Sequence, residues 1–140
     1  MLGDIDKVLS QKLWAVIGVS KNPTKYGNKV YSQLKKAGYS VYAINPGLES
    51  IDGDPCYPSL AALPTVPDAV SVVVPPKITE QVITDCIGLG INRVWMQPGS
   101  ESEEAIRNGE EHGITVIHDQ CVLIHTRDKG NLLQVEKWES

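Results

Sequence analysis

The sequence predicts an α/β protein in which helices flank a doubly wound parallel β-sheet. Short unbroken apolar runs recur along the chain, and such runs suit strands that are buried on both faces. Segments with helical spacing of apolar residues alternate with them, which is the pattern of right-handed βαβ units. We therefore expect a Rossmann-like sheet of about five strands in a three-layer α/β/α arrangement.

The first part of the chain predicts two helices and two strands. Apolar residues at helical spacing predict a short helix over 4–11, and the run LWAVIGV predicts a buried strand over 13–19. A second amphipathic pattern predicts a helix over 28–37, with Gly38 as its stop. The run 39–45 is rich in β-branched and aromatic residues and predicts the second strand.

The second part of the chain repeats this alternation. Strands are predicted over 69–74, 92–97 and 113–119. Helices are predicted over 79–89 and 100–113. Ser100 or Ser102 is the expected N-cap of the last helix, because glutamates favoured in a first turn follow both. The segment 46–68, rich in Pro, Gly and Asp, predicts a long loop with one short helix near 60–63.

Composition indicates a soluble protein of one domain, which we place over 1–126, with a polar tail over 127–140. The chain is 41% hydrophobic, and its net charge of -4 without a clustered basic face argues against nucleic acid as a partner. No apolar run approaches the roughly 20 residues that span a membrane, and no signal peptide opens the chain. The 3 cysteines form no CxxC pair, so we expect reduced thiols and a cytoplasmic location.

The loop after the first strand has the chemistry of a phosphate site. In open α/β sheets, ligands bind beyond the carboxyl ends of the strands. Gly18 allows a sharp turn there, Ser20 offers a hydroxyl, and the helix N-terminus near Tyr26–Lys29 offers free N–H groups. Three lysines lie in this segment without an acid over 18–31, namely Lys21, Lys25 and Lys29. The alternative is an ordinary strand-to-helix loop with solvated lysines.

The residues of this loop do not match the common nucleotide motifs. The GxGxxG fingerprint of NAD sites is absent, and the second strand ends at Asn45 and Pro46 where such sites carry an acid. The GxxxxGK[ST] pattern of a P-loop is also absent. Coenzyme A fits better, because its several phosphates match the lysines and its long thin arm suits a groove along strand ends.

Four segments carry a resemblance to a known family. They are WAVIGVSKNPTKYGNKVYSQLKKAGYSVYAINP, SVVVPP, RVWMQPG and HDQCVLIH. In this order they resemble the stand-alone CoA-binding domain proteins, which are similar to the nucleotide-binding domain of the succinyl-CoA synthetase α subunit and of acyl-CoA synthetases. The resemblance covers roughly residues 5–126.

The resemblance implies a cofactor site for coenzyme A on the first loop. Gly18, Ser20 and Lys21 match the loop that wraps the CoA phosphates in such domains. Lys25 and Tyr26 lie at the helix end of that loop.

The resemblance also implies contacts at three further strand ends. Asn45 and Pro46 match the end near the adenosine. The wall beside the nucleotide and the pantetheine arm is matched by Val74, Pro75 and Pro76. Gln97 and Pro98 match the next strand end, where the synthetase has an acid-containing turn. The amide of Gln97 therefore argues against a synthetase-like catalytic role.

The segment HDQCVLIH has residue types of a metal site or a Cys–His pair. Strand alternation places His118 and Cys121 on different faces, and no second cluster supplies the three or four ligands that zinc needs. We therefore expect no metal site. Cys121 at a strand end can still face the ligand pocket, where its thiolate would form a mixed disulfide by exchange with the disulfide form of the ligand, oxidised CoA, releasing the other thiol.

Three classes of function follow from these patterns. We expect non-catalytic binding of CoA or an acyl-CoA, with no catalytic residue, since a synthetase would need a phosphorylatable histidine in a later domain. The first alternative is an NAD(P)-binding oxidoreductase or redox sensor. The second is the CoA-binding subunit of a multi-chain acyl-CoA ligase. Self-association into a homo-oligomer is left open.

Overall fold

The computed structural model describes residues 2–126 and divides them into strands and helices. The strands are β1 (Leu13–Ile17), β2 (Ser40–Ile44), β3 (Ser50–Ile51), β4 (Asp54–Tyr57), β5 (Ala69–Val72), β6 (Arg93–Met96) and β7 (Thr115–Ile117). The helices are α1 (Leu2–Leu9), α2 (Tyr26–Lys36), α3 (Pro76–Leu89) and α4 (Glu103–Glu111). A 3-10 turn lies at Leu60–Ala62, and a further helical turn covers 122–126.

The strands form one sheet in the order β3-β4-β2-β1-β5-β6-β7. All pairs in it are parallel except β3 with β4. From β1 the chain first builds the side that holds β2 and β4, and then returns to add β5 on the other side of β1. The strand order therefore reverses between β1 and β5, where doubly wound sheets form a ligand crevice at the carboxyl ends.

Side chains of alternate residues in the central strands point into two separate hydrophobic cores, one on each face of the sheet. Trp14 and Val16 point into a core shared with α1, α2 and Val122. Ala15 and Ile17 point into the opposite core, which contains buried residues of α3 and α4. Both faces of the sheet are thus covered, which confirms the predicted α/β class and its three layers.

The sheet has seven strands, so the prediction of about five was too low. The two missed strands, β3 and β4, lie in the segment that was predicted as a long loop. They have 2 and 4 residues, too few to show a hydrophobic period. Asp52 and Gly53 join them at φ values of 49° and 83°, and an Asp-Gly pair is a hairpin-turn signal that the sequence does contain. The short helix expected near 60–63 is confirmed as the 3-10 turn.

Three helices begin earlier than predicted: α1 begins at Leu2, two residues before the expected start, and the N-termini of α2 and α3 consist of residues that give no capping signal. Helix α2 begins at Tyr26 and has no side-chain cap, so no capping signal marks its start. Helix α3 begins at Pro76, where the missing proline N–H costs no hydrogen bond in a first turn. For α4 the expected cap is confirmed, since the hydroxyl of Ser102 accepts a hydrogen bond from the N–H of Ala105 at 3.2 Å.

Within residues 2–126, the helices are each too short or too polar to cross a membrane. The predicted tail over 127–140 lies outside the described residues. The division between a domain over 1–126 and that tail stays a prediction.

A polar cluster ties α2 to β4, and it predicts a pH dependence of stability. Asp54 accepts hydrogen bonds from Lys35 and, at 2.8 Å, from the hydroxyl of Tyr31. The bonds from Lys35 and then Tyr31 hold the pKa of the Asp54 carboxyl below its usual value. Both charged side chains keep considerable exposure, 43% for Lys35 and 37% for Asp54, so water screens their attraction.

We expect Asp54→Asn to lower the free energy of unfolding at pH 7 by about 0.5–1 kcal/mol. A lowered folded-state pKa stabilises the fold fully above the unfolded pKa, near 3.8, and loses this effect as pH falls through the folded value. The difference between wild type and variant should therefore shrink in acid. Urea unfolding of both proteins at pH 7 and near pH 3 measures it, and an equal difference at both pH values would contradict the prediction.

Candidate ligand-binding site

The turn from β1 into α2 depends on two glycines that permit close backbone contacts. A Cβ on Gly18 would lie 2.1 Å from the carbonyl oxygen of Val73, and Gly18 has a φ of +99° that side chains disfavour. A Cβ on Gly27 would lie 1.9 Å from the carbonyl oxygen of Gly18. Only glycine fits either position, so the start of α2 rests directly on the end of β1, and the end of β1 rests on the end of β5.

Side-chain amides brace the loop that follows β1. The amide nitrogen of Asn45 donates to the carbonyl oxygen of Val19 at 2.7 Å, and that of Asn28 donates to the carbonyl oxygen of Ser20 at 2.8 Å. The hydroxyl of Ser20 accepts a hydrogen bond from the N–H of Asn22 at 3.1 Å. The loop is thus bonded at both ends and within itself, which makes it a preformed surface.

The N-terminus of α2 combines an uncapped helix end with exposed cations. Lys25 occupies the N-cap position, and its side chain makes no capping hydrogen bond. Lys21, Lys25 and Lys29 are all exposed, and the Nζ of Lys29 lies 5.8 Å from the ring centre of Tyr26. Free N–H groups, the positive end of the helix dipole and unopposed lysines together favour the binding of phosphate groups.

A cavity of about 250 Å³ adjoins this helix end. Its described lining residues are Tyr26, Val73, Gln97, Pro98, Cys121 and Ile124. They belong to the start of α2 and to the segments that follow β5, β6 and β7, so the cavity runs along the carboxyl edge of the sheet. Val73, Cys121 and Ile124 were not among the predicted cofactor contacts, although Cys121 was expected to face the pocket.

Gln97 fixes the far wall of this cavity. Its side chain is only 2% exposed. The amide oxygen accepts a hydrogen bond from the N–H of Val122 at 2.8 Å, and the amide nitrogen donates to the sulfur of Cys121 at 3.4 Å. Nearby, the indole N–H of Trp95 donates to the carbonyl oxygen of Gln120 at 2.8 Å. These bonds hold the turn after β7 against the end of β6.

The remaining predicted residues lie at the same carboxyl edge. Val74 follows β5, and one of its methyl groups would lie 3.0 Å from a Cβ on Gly18. Pro75 and Pro76 are exposed and form the N-cap and first residue of α3. Pro46 is exposed and follows Asn45 on the β2 side. The structure therefore brings the predicted positions to one edge, on both sides of the crevice between β1 and β5.

The histidine-containing segment after β7 makes local polar contacts. Nδ1 of His118 lies 2.6 Å from a carboxylate oxygen of Asp119, and Nε2 of His125 lies 2.8 Å from the side-chain oxygen of Gln120. Within residues 2–126, no three His, Cys, Asp or Glu side chains group in a way that could hold a metal ion.

The sheet order and the crevice between β1 and β5 define an α/β domain of the Rossmann-like class. A family model described as a CoA binding domain matches residues 12–127, and the chain belongs to that family. The family expected from the sequence is thereby confirmed.

Relatives of this chain are both short proteins and parts of long enzymes. A conserved hypothetical protein from Pyrococcus furiosus has a similar structure, with a TM-score of 0.77, 39% identity, and coverage of 83% of this chain and 99% of that one. The uncharacterized protein YneT from Bacillus subtilis is 28% identical over 86% of this chain and 90% of its own length. An ADP-forming acetate–CoA ligase from Archaeoglobus fulgidus is 28% identical over 87% of this chain. The chain spans only 19% of that ligase.

The contact between Gly27 and Gly18 predicts a strong effect of one added methyl group. We expect Gly27→Ala to lower the free energy of unfolding by about 2–3 kcal/mol, because the Cβ would overlap a backbone carbonyl. Gly88→Ala is the matched control, since Gly88 is also helical and a Cβ there meets nothing within 4 Å. Urea unfolding should show the control as neutral or slightly more stable. Equal effects of both substitutions would contradict the prediction.

The three cysteines are expected to differ in reactivity. Burial raises the pKa of Cys86 to about 12 and also raises the pKa of Cys56, whereas Cys121 lines the cavity. Because the thiolate is the reactive form, a thiol-specific reagent at pH 8 should modify Cys121 first. Cys56 and Cys86 should react only after unfolding. Mass spectrometry of the peptides measures the order, and Cys121→Ser should remove the fast phase; rapid labelling of Cys86 would refute this.

Proposed function

We propose that this chain binds CoA or an acyl-CoA in the crevice between β1 and β5 and performs no chemical reaction of its own. The observation that carries the proposal is the close packing of Gly18 and Gly27, which brings the uncapped end of α2 to the carboxyl edge of the sheet. Membership of the CoA binding domain family supports the same ligand.

The phosphates of the ligand would lie on the loop between β1 and α2. The packing of Gly18 on the backbone of Val73 sets this loop at the carboxyl edge of the sheet, where the backbone at Gly18 and Ser20 would lie close to the phosphates. The N–H groups of Tyr26 and Gly27 at the start of α2 would donate to phosphate oxygens, since those of Asn28 and Lys29 already donate to the carbonyl oxygen of Lys25. Lys21 and Lys25 are exposed beside this turn and would add charge-assisted hydrogen bonds.

The adenosine and the pantetheine arm would extend to opposite sides of the phosphates. Asn45 and Pro46 lie on the β2 side, where the adenosine is expected. One amide hydrogen of Asn45 is already bonded to Val19, and its oxygen accepts from the N–H of Gly47 at 2.8 Å. Asn45 would therefore act mainly by positioning the loop. The wall beside the arm would comprise Val74, Pro75 and Pro76, followed by Gln97 and Pro98.

The chemical type and the hydrogen bonds of the Gln97 side chain support the proposal of binding without catalysis. An amide stands where the synthetase-like pattern has an acid, and both of its polar atoms form hydrogen bonds within the protein.

A second candidate function is that of a subunit that supplies its CoA site to a separate ligase chain. It is favoured by the similarity to the α subunit of an ADP-forming acetate–CoA ligase from Pyrococcus furiosus, which is 30% identical over 79% of this chain and 26% of that one.

Calorimetric titration tests the ligand class. We expect CoA to bind more tightly than dephospho-CoA or NAD, because the cationic loop meets more phosphate charge in CoA. We also expect CoA to bind more tightly than ATP, which carries similar phosphate charge but lacks the pantetheine arm. Binding should weaken as salt rises, since the lysines are exposed to screening. Tighter or equal binding of NAD would overturn the proposal in favour of a dinucleotide-binding protein.

Lysine variants separate a specific phosphate contact from the overall charge. Lys21→Ala and Lys25→Ala should each weaken CoA binding about fivefold, the equivalent of about 1 kcal/mol for an exposed charge contact. Lys36→Ala removes the same charge at the other end of α2 and is the control, with an affinity expected to match the wild type. If all three variants weaken binding equally, the loop is not the phosphate site.

A further inference from the structure

A groove at the edge of the sheet contains four of the five tyrosines of the chain. We propose that it binds a short proline-containing peptide segment in the polyproline II conformation. The groove lies beside the last turn of α2, to which Lys35 belongs, whereas the proposed CoA phosphates lie at the first turn of that helix. The inference therefore does not depend on the proposed function.

A break in the pairing of β2 with β4 opens this groove. The parallel pairing joins residues 43–44 of β2 to residues 56–57 of β4 and goes no further. One position earlier, a bridge between Tyr42 and Pro55 would need the N–H of residue 55, which proline lacks. Among residues 2–126, no strand pairs with the first part of β2 on this side, and side chains from both strands line the gap.

The tyrosines approach the groove from both faces of the sheet. Tyr39 packs against the core on the α2 face, and Tyr42 and Tyr57 pack against the opposite core. The rings of Tyr42 and Tyr57 meet edge to face, with 5.6 Å between their centres. Together with Tyr31 and Pro55 they line the groove with flat apolar surfaces. Grooves lined by aromatic rings are the usual docking sites of polyproline II segments.

Two tyrosine hydroxyls in the groove are available to a ligand. The hydroxyls of Tyr31 and Tyr39 donate hydrogen bonds within the protein. In the part of the chain that the structure describes, no hydrogen bond engages the hydroxyls of Tyr42 and Tyr57, whose side chains are half-buried. A polyproline II segment makes no internal hydrogen bonds, so its carbonyl oxygens are free to accept from these two hydroxyls. Its prolines place no unpaired N–H against the apolar rings.

The size and the charge of the groove favour a short, uncharged segment. A volume of about 280 Å³ corresponds to roughly nine water-sized groups, enough for one proline ring and the peptide groups on either side of it. A stable interface with a folded partner needs about 800 Å² on each side, so a groove this small argues against a second copy of the chain. On the rim, Lys35 contacts Asp54, and the two charges neutralise each other.

Titration of the isotope-labelled chain with two blocked peptides, followed by NMR, tests the proposal. The probe is acetyl-Ala-Pro-Pro-Ala-Pro-Pro-Ala-amide, and its control has serine at each proline position. We expect the probe to shift the amide signals of Val41 and Tyr42 with a dissociation constant below about 1 mM, and the control to bind at least tenfold more weakly. Weaker binding of the probe, equal binding of the two peptides, or shifts confined to residues outside the groove would each overturn the proposal.

Removal of the free hydroxyls tests the predicted hydrogen bonds. Tyr42→Phe and Tyr57→Phe keep the rings, so each variant should stay folded and bind the proline probe at least threefold more weakly. Tyr26→Phe is the matched control, because Tyr26 is the fifth tyrosine and lies outside the groove at the start of α2. The control should keep the wild-type affinity for the probe. Unchanged affinity in both groove variants would contradict the proposal.

Restoration of the missing N–H tests the role of the open edge. Pro55→Ala supplies the donor that lets β4 continue its pairing with β2, so the groove should narrow and the probe should bind at least fivefold more weakly. Pro64→Ala is the control, since Pro64 is exposed in the loop before β5 and should not affect binding. Equal affinities of the two variants would overturn the proposal. These titrations use the chain without CoA, so a failure of CoA binding would leave their outcome unchanged.

Discussion

The ligand edge of this protein depends on a chain of backbone contacts that only glycine permits. The carbonyl of Val73 packs against Gly18, and the carbonyl of Gly18 packs against Gly27, so the end of β5, the end of β1 and the start of α2 are stacked without intervening side chains. In a dinucleotide fingerprint, closely spaced glycines provide the tight turn and the close helix packing. Here two glycines nine positions apart serve both purposes, which explains why the motif is absent although the geometry is related.

Two side-chain amides, one buried and one half-buried, stabilise the same edge of the sheet at which the glycines pack. Asn45 bonds the loop after β1, and Gln97 bonds the turn after β7, so the two sides of the crevice are each held by one side-chain amide. The hydrogen bond that the N–H of Val122 donates to the amide oxygen of Gln97 satisfies a buried N–H that would otherwise be costly. These residues follow strands at the expected positions, yet their described bonds are to the protein itself. Their contribution to the site is its shape.

The sequence predicts the five strands from β1 to β7 that lie in apolar segments better than it predicts the short hairpin of β3 and β4. The strands β1, β2, β5, β6 and β7 lie within predicted strands, because each consists mainly of apolar residues, although Ser40 and Ser71 interrupt the runs that predict β2 and β5. The hairpin of β3 and β4 is too short for a period, and only its Asp-Gly turn marks it. Likewise, the position of Gln97 after an apolar run predicts that it lies at a strand end. Its hydrogen-bond partners, Cys121 and Val122, follow a different strand. Tertiary partners of this kind leave no local signal.

The two ends of the crevice differ in charge, and this difference constrains the orientation of any ligand. At α2 there are exposed lysines and free N–H groups, whereas the described lining of the cavity toward Ile124 is uncharged. A molecule with charge at both ends would satisfy only one of these surfaces and would lose hydration at the other. A molecule with phosphates at one end and an uncharged arm at the other satisfies both in a single direction. If the chain binds CoA as proposed, this difference in charge would orient the ligand before any single contact determines its identity.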